Sequence, residues 1–475
     1  MNLIFRRVLY LSFIAIFIVS GTLLLLYLQG YRYDFEQHRI EQTGALMLTT
    51  VPARATIVLN GQTSKEQTPI TIQSLEPAQY DVTITAPGYQ SWHKLLNVRA
   101  AEVTFSGDIR LFPPPHKGVH LTGTAFTTAA LAPNRANLLY FLSQGLGTGL
   151  WLLNLTSGQT ALITRPSGSI ITSVEWAPSS REFLVAARAG DKISYRTYNV
   201  TEAEWDEITL PGSVSPQTVH WGEDEDYLYI ATNNEIYQYV RSSHNLKLLW
   251  RERITDFRIH DGIIYGLAEG ASGTVAVRAI SRSNLEPVAF DLGTALSTNL
   301  SFLEPREGWL PLYDNDRHTL FLLHSPLSET NYVRRLPEVT EIDWSPDGNE
   351  LLLTNNIEVW NYNVNTDKLT LIRRISTGFS QARRLPTDPY LTYATGNEVW
   401  TLEFDTRAEQ QSWLIGKFPA EVIDLFIDPR GTTLYAKTVA GLYQLTLVSE
   451  RELDEQPGGS PVKAIQKYLR RSTLP

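Results

Sequence analysis

The strongest hydrophobic pattern along the chain lies near its amino end. Residues 8–28 are 21 consecutive positions without a charged side chain, and Leu, Ile, Phe and Val dominate them. A helix of this length, at about 1.5 Å per residue, measures about 30 Å, which matches the hydrocarbon core of a bilayer. Residues 8–28 are therefore predicted to be a transmembrane helix, with residues 1–7 in the cytoplasm and a juxtamembrane linker at 29–43.

Two other interpretations of this apolar run remain open. A buried helix of a soluble protein is disfavoured because the run is apolar on every face and lies at the amino end. A cleavable signal peptide is disfavoured because its apolar region usually spans about 7 to 15 residues and ends at an A-x-A site, which is missing here. Arg6 and Arg7 precede the run and Arg32 and Arg39 follow it, so the positive-inside rule only slightly favours a cytoplasmic amino terminus.

After residue 43 the pattern changes to the period of two that is typical of strands. In residues 80–85, Val82 and Ile84 face one way and their polar neighbours the other, as in a half-buried strand. Residues 56–59 run directly into Asn60-Gly61, which suits a two-residue hairpin turn because both positions tolerate positive φ. Residues 44–112 are predicted to form a small β-domain.

This region resembles the PEGA domain, a short β-module of bacterial and archaeal envelope proteins. The matching elements keep the family's order and spacing: Gly44-Ala45-Leu46, Val51-Pro52-Ala53-Arg54-Ala55, Leu59-Asn60-Gly61, Thr68-Pro69-Ile70, Leu75-Glu76-Pro77-Ala78-Gln79-Tyr80 and Pro87-Gly88-Tyr89. Pro52 and Ala55 of the name-giving tetrapeptide are present, whereas Ala53-Arg54 replace the usual Glu-Gly. The resemblance implies an extracytoplasmic setting more than any activity. Tyr89 and Trp92 are interpreted as core aromatics, with a carbohydrate platform as the alternative.

From residue 119 onward, an apolar or aromatic pair recurs every 39 to 44 residues, marked by Trp151, Tyr195, Tyr237, Val277, Phe321, Trp360, Trp400 and Tyr443. Four short strands with their turns need about 40 to 45 residues, which is the length of a propeller blade. A second marker, a strand that ends at a Trp before a Pro or Gly turn, recurs in phase at positions 176, 221 and 344 and is predicted to pack between blades. Residues 118–449 are therefore predicted to form an eight-bladed β-propeller; seven blades, with one irregular unit miscounted, is the alternative.

Four further segments of the chain carry predictions of their own. The unit at 341–374 resembles the WD40-like repeat of TolB-type propellers through Trp344-Ser345-Pro346-Asp347-Gly348. The last unit offers only three strands, so residues 118–123 are predicted to supply its fourth strand and close the ring. Residues 113–117 begin with three prolines and are predicted to be an extended connector. Residues 450–475 are predicted to be a polar tail, in which residues 462–471 have apolar positions at helical spacing.

Composition narrows the possible chemistry. The net charge of −9, without a basic cluster, disfavours nucleic-acid binding, and the absence of cysteine excludes disulfides and thiolate sites. The common hydrolase, nucleotide and zinc motifs are missing from suitable contexts. His116 and His120 are interpreted as surface residues; Asp314-Asn315-Asp316 and Glu223-Asp224-Glu225-Asp226 are interpreted as solvated turns, with cation binding as the less favoured alternative. No catalytic residue, metal site or cofactor is predicted.

These patterns together predict a mainly β, membrane-anchored protein that is not an enzyme. The leading hypothesis is an extracytoplasmic binding or scaffolding protein of the cell envelope, whose propeller recognises a protein or a wall polymer. Two alternatives remain: an envelope polysaccharide-active enzyme of lyase or glycosidase type, which needs paired acidic side chains at the channel mouth, and a propeller scaffold that faces the cytoplasm.

Overall fold

The structure is a computed structural model that describes residues 3–28, 30–34, 39–122, 126, 128–143, 147–165, 168–211, 214–269, 275–281, 288–290, 292, 296–306, 308–324 and 333–448. Helix α1 (Leu3–Leu28) comes first. Its segment Leu9–Tyr27 has a mean hydropathy of 2.4 and is long and apolar enough to cross a membrane. None of that segment is buried, and Phe17 is 76 % exposed, so the helix contributes nothing to a protein core.

The predicted linker at 29–43 contains an antiparallel pair of strands that the sequence reasoning did not anticipate. β1 (Tyr31–Asp34) pairs with β2 (Arg39–Gln42). Arg32 donates to the Tyr27 carbonyl at the end of α1 and lies over the Tyr27 ring at 3.7 Å. The strands were missed because this stretch is polar, so few apolar residues mark its alternating pattern.

Two sheets follow, one mixed and one antiparallel, and we call them together the small β-domain. One sheet has the order β6-β3-β9, with β3 and β9 parallel, and the other has the order β5-β4-β7-β8. The strand bounds are β3 Gly44–Val51, β4 Thr56–Leu59, β5 Gln62–Gln67, β6 Ile70–Leu75, β7 Gln79–Thr85, β8 Trp92–Asn97 and β9 Val103–Arg110. The predicted turn is confirmed: Asn60 and Gly61 have φ values of 47° and 79° between β4 and β5. Arg54 has φ 63°, in the left-handed region that glycine adopts without strain, which explains why the family usually has Gly at this position. Placing Arg there costs this chain about 1–2 kcal/mol of backbone strain.

The described residues beyond 118 form eight four-stranded antiparallel sheets, which we number as blades 1 to 8. Their strands are β11 Thr128–Leu131, β12 Asn137–Leu142, β13 Gly149–Asn154 and β14 Thr160–Thr164; β15 Ile170–Trp176, β16 Glu182–Ala189, β17 Lys192–Asn199 and β18 Glu204–Glu207; β19 Thr218–Trp221, β20 Tyr227–Ala231, β21 Glu235–Val240 and β22 Asn245–Arg251; β23 Ile254–His260, β24 Ile263–Glu269, β25 Val275–Ser281 and β26 Val288–Phe290; β27 Leu300–Phe302, β28 Trp309–Asp314, β29 Thr319–His324 and β30 Val333–Leu336; β31 Glu341–Trp344, β32 Glu350–Thr354, β33 Glu358–Asn363 and β34 Lys368–Arg374; β35 Gln381–Arg384, β36 Tyr390–Thr395, β37 Glu398–Glu403 and β38 Ser412–Lys417; and, in blade 8, β39 Val422–Ile427, β40 Thr433–Thr438, β41 Gly441–Thr446 and β10 Val119–Thr122.

Blade 8 confirms the predicted closure of the ring. β10, which precedes every other propeller strand in the chain, pairs antiparallel with β41, so the first and last parts of the propeller share one sheet. Gly441 has φ 134°, and a Cβ at this position would lie 1.9 Å from the Thr122 carbonyl oxygen. The closing strands therefore approach each other at a point where only glycine fits.

The first strands of neighbouring blades contact one another from blade 1 to blade 5 and from blade 6 to blade 8. Shared hydrophobic clusters join blade 5 to blade 6 and blade 8 to blade 1, so the eight sheets surround the propeller axis. The recurring Trp residues pack between blades as predicted. Trp176 is buried and donates through Nε1 to the Ala130 carbonyl of blade 1, and Trp221 likewise donates to the Glu175 carbonyl of blade 2. We call the surface that carries the turns between first and second strands the AB face.

The small β-domain docks on the outer part of blade 7 through a joint that the sequence did not reveal. Lys94 on β8 is fully buried there and pairs with Glu403 at 2.7 Å and with Asp405 at 3.0 Å. Trp92 donates through Nε1 to the same Glu403 carboxylate, and Phe112 packs against the Trp413 ring at 5.4 Å between centroids. One hydrophobic core therefore runs through both units.

Candidate functional site

A cluster of polar side chains joins three neighbouring first strands at the propeller axis, and we call it the histidine cluster. His220 Nδ1 lies 2.7 Å from the Glu175 carboxylate, and Arg258 Nη1 lies 2.7 Å from His220 Nε2. Asp256 approaches the same His220 Nε2 at 3.9 Å. These contacts connect β15, β19 and β23. Burial alone raises the pKa of Glu175, but His220 and Arg258 outweigh it and hold that pKa below its usual range.

Across the ring, an arginine cluster joins the first strands of blades 6, 7 and 8. Arg383 on β35 bridges Glu341 on β31 at 2.8 Å and Asp424 on β39 at 2.9 Å. Burial raises the pKa of Glu341 above its usual value, although Arg383 opposes this shift. The two carboxylates therefore share one guanidinium and are neutralised by it, whereas a glycosidase requires an acidic pair that is free to act on the substrate.

Arg135 links blade 1 to blade 6 at the AB face. It lies in the turn after β11, and its Nη2 is 2.5 Å from the Asp343 carboxylate on β31. The same carboxylate accepts from the Arg384 backbone N–H at 2.8 Å. A cavity of about 200 Å³ lies beside this pair, with Leu303, Glu304 and Arg306 from blade 5 in its wall. Pockets that hold small ligands usually measure about 300–1,000 Å³, so this depression is small for a metabolite.

Turn-to-turn hydrogen bonds fix the AB face between blades 1 and 4. The Asn134 backbone N–H donates to Ser180 Oγ at 3.0 Å, and the Ser179 backbone N–H donates to the Glu225 carboxylate at 2.7 Å. The Gly262 backbone N–H donates to the Glu223 carboxylate at 3.0 Å. The acidic turn at 223–226, interpreted from the sequence as solvated, therefore also binds the turns of the blades on both sides.

The other residues singled out from the sequence lie apart from the axis. His116 is exposed in the connector, and His120 packs on the Tyr443 ring with centroids 5.0 Å apart. Asp314 corrects the sequence interpretation: it is fully buried and accepts from the Ser297 and Arg317 backbone N–H groups, so it caps a turn inside the fold.

Trp92 and the carboxyl-terminal tail were also interpreted from the sequence. Trp92 is fully buried in the joint with blade 7, which confirms it as a core residue and rules out a role as a carbohydrate platform. The predicted tail at 450–475, including the helical spacing at 462–471, lies outside the described residues.

Sequence reasoning missed the polar residues of the axis, although the sequence carries a signal for them. Glu175, His220 and Asp343 each directly precede a recurring Trp at the end of a first strand. A polar residue at one repeated position of a buried strand is costly unless it is paired or faces a channel. The phase of the repeat therefore marks the axis-facing position.

Comparison with known proteins gives one family match and several solved structures of low sequence identity. Residues 43–112 match the family model described as the PEGA domain. None of the curated proteins compared with the chain matches it. The solved structures similar to it include the C-terminal WD40 domain of Sif2 (12 % identity, TM-score 0.47, covering 70 % of this chain and 99 % of that one), the Dos1 propeller (11 %, 0.46, 71 % and 95 %) and Saccharomyces cerevisiae Sqt1 (10 %, 0.46, 70 % and 100 %).

The fold and its features define a class of protein: a domain that matches the PEGA family model, joined to a β-propeller behind one apolar helix. The propeller assignment rests on the four-stranded sheets and on their closure by β10 and β41.

Proposed function

We propose that this chain is a single-pass membrane protein that holds a propeller outside the cytoplasm as a binding or scaffolding module of the cell envelope, and that the AB face binds a protein partner. The observation that carries this proposal is the AB face itself: a polar surface fixed by hydrogen bonds between turns, with a cavity of about 200 Å³ beside Arg135. A rigid, polar surface suits a protein partner because little conformational entropy is lost from it on binding.

A protein is favoured over a wall polymer for a structural reason. Sugar rings pack against exposed aromatic faces, whereas the Trp residues nearest the AB face, Trp176, Trp221 and Trp344, are buried between blades. A glycosidase or lyase is disfavoured because Arg383 pairs with both Glu341 and Asp424 and so ties up the two carboxylates.

Site-specific photo-crosslinking in intact cells tests the partner. A crosslinking residue at Glu304, exposed beside the cavity, is expected to give one discrete protease-sensitive adduct, and the same residue at exposed Asp191, in the turn between β16 and β17 on the opposite face of blade 2, to give none. Equal adducts at both positions, or no adduct at either, would contradict a binding surface at the AB face. Turnover of a glycan or peptide by the purified chain would favour the enzyme instead.

The orientation is tested separately with a reporter fused after Pro475. The proposal expects the reporter to be degraded by protease added to intact spheroplasts, because the carboxyl-terminal part would lie outside the cytoplasm. A protected reporter that becomes accessible only after lysis would support the cytoplasmic scaffold. Release of the whole chain into the medium would support a cleaved signal peptide.

A further inference from the structure

Three side chains with metal-binding atoms converge between blades 3 and 4 at the AB-face end of the axis. They are Glu223 from the turn after β19, and His260 and Asp261 from the end of β23 and its turn. Their candidate ligand atoms all lie within 4.8 Å of one another. His260 lies two residues beyond Arg258 on β23, so both side chains share the strand face that bears the histidine cluster.

The backbone holds this group in place. Asp261 and Gly262 have φ values of 49° and 72°, the geometry of a tight two-residue turn, and they fix the end of β23 against β24. The Gly262 backbone N–H donates to Glu223 Oε2, so the carboxylate of blade 3 is already held over the turn of blade 4. The three side chains are therefore brought together by the blades themselves.

The imidazole of His260 supplies an independent indication of a ligand. The residue is 8 % exposed, and its Nε2 is buried without a hydrogen-bond partner. This Nε2 lies 3.5 Å from the Asp261 carboxylate. Two ligands of a tetrahedral ion with bonds of about 2.1 Å are separated by about 3.4 Å, so the observed spacing leaves room for an ion between them.

We propose that Glu223, His260 and Asp261 form a binding site for a divalent transition-metal ion such as Zn²⁺, which ties blade 3 to blade 4 at the AB-face rim of the axis. One imidazole nitrogen with two carboxylates favours a zinc-like ion over Ca²⁺ or Mg²⁺, which prefer all-oxygen sites. The fourth position faces the solvent side, where Glu223 and Asp261 are exposed, and it is open to water or to a partner's side chain.

The test uses the full chain in detergent, purified without a histidine tag. Co²⁺ is expected to bind at one equivalent with the visible absorption of a tetrahedral site, and Zn²⁺ is expected to displace it. Glu223→Gln and Asp261→Asn keep the side-chain shape, and Asn tolerates the positive φ at 261. Each variant should weaken Co²⁺ binding at least about tenfold, since even losses in the outer shell of a metal site have effects of that size.

Asp224→Asn is the matched control, because it removes one negative charge from the neighbouring position of the same turn. It should leave the affinity within about threefold of the parent, as expected for a weakly coupled surface charge. Absence of tight Co²⁺ and Zn²⁺ binding by the parent chain would overturn the proposal and leave His260 as a partner of Asp261 alone. If Asp224→Asn and Glu223→Gln weakened Co²⁺ binding equally, the effect would come from general electrostatics rather than from a ligand, and the proposal would also be overturned.

Discussion

Replacing Lys94 by Met should open the joint between the PEGA domain and blade 7. The substitution keeps most of the side-chain volume and removes the charge that pairs with Glu403 and Asp405. Loss of one partner from a buried ion pair costs about 3–5 kcal/mol because the other charge is left without compensation. The low end is expected here, since Trp92 and the Gln411 backbone N–H still donate to Glu403.

A loss of about 3 kcal/mol raises the equilibrium constant for local opening about a hundredfold. Hydrogen exchange measured by mass spectrometry should show this change in β8 (Trp92–Asn97) and β38 (Ser412–Lys417), while the central strands of blades 2 and 3 remain protected. Lys417→Met is the matched control in the same blade. Its ion pair with Glu398 is exposed, with 63 % of the lysine side chain accessible, so less than about 1 kcal/mol is expected.

The effect of Lys94→Met should also depend on pH. Burial raises the pKa of Glu403 above its usual value, against the opposing effect of Lys94, and removing Lys94 raises it further. The folded state then holds the proton more tightly than the unfolded state, so stability is recovered as the pH falls through the folded pKa. The destabilisation should shrink as the pH falls from neutral through the raised folded pKa of Glu403, and Lys94→Met/Glu403→Gln should recover most of it. A loss below about 1 kcal/mol at neutral pH, independent of pH, would refute this reasoning.

Two further predictions concern closure of the ring and the histidine cluster. Gly441→Ala should lower the free energy of unfolding by at least about 2 kcal/mol and speed hydrogen exchange in β10, because its Cβ would meet the Thr122 carbonyl. Gly168→Ala is the control: it also has a positive φ, 72°, but open space around it, so it should cost less. Equal costs at 441 and 168 would show that the clash is relieved. Glu175→Gln should cost about 1.5 kcal/mol at pH 7, measured by chemical denaturation. The pKa of Glu175 is held low in the folded state, so the difference from the parent should shrink as the pH falls from the usual glutamate range through the lowered folded pKa, and a constant difference would contradict the pairing.

The sequence predicted those parts of the fold that depend on local pattern. The Asn60-Gly61 turn follows from backbone freedom at two adjacent residues, and the closure by β10 follows from a unit that lacks one strand. The strands of the small β-domain show the same local logic, since Val82 and Ile84 are fully buried on β7. Period and turn chemistry act over a few residues, and for that reason they can be read without a structure.

The joint and the axis could not be predicted in this way. Lys94 and Glu403 are 309 residues apart, and an isolated lysine in an alternating strand carries no mark of burial. The charges of the axis alternate along their strands just as solvent-facing residues do, so the pattern alone would place them in water. Only the ring brings Glu175, His220 and Arg258 to one point, because each comes from a different blade.

The same long-range joint completes a chain of hydrogen-bonded links from helix α1 to the propeller. From α1, the β1–β2 pair is tied to the small β-domain by the Thr43 backbone N–H, which donates to the Gly30 carbonyl at 2.8 Å, and by the Ala101 N–H, which donates to the Thr43 carbonyl. The PEGA domain is in turn fixed to blade 7 by the buried Lys94. Each link is short and hydrogen-bonded, so if α1 spans a bilayer as proposed, the propeller would lie at a set distance from the membrane. For the proposed scaffold, such an ordered spacer would raise the effective concentration of a partner held at the same height.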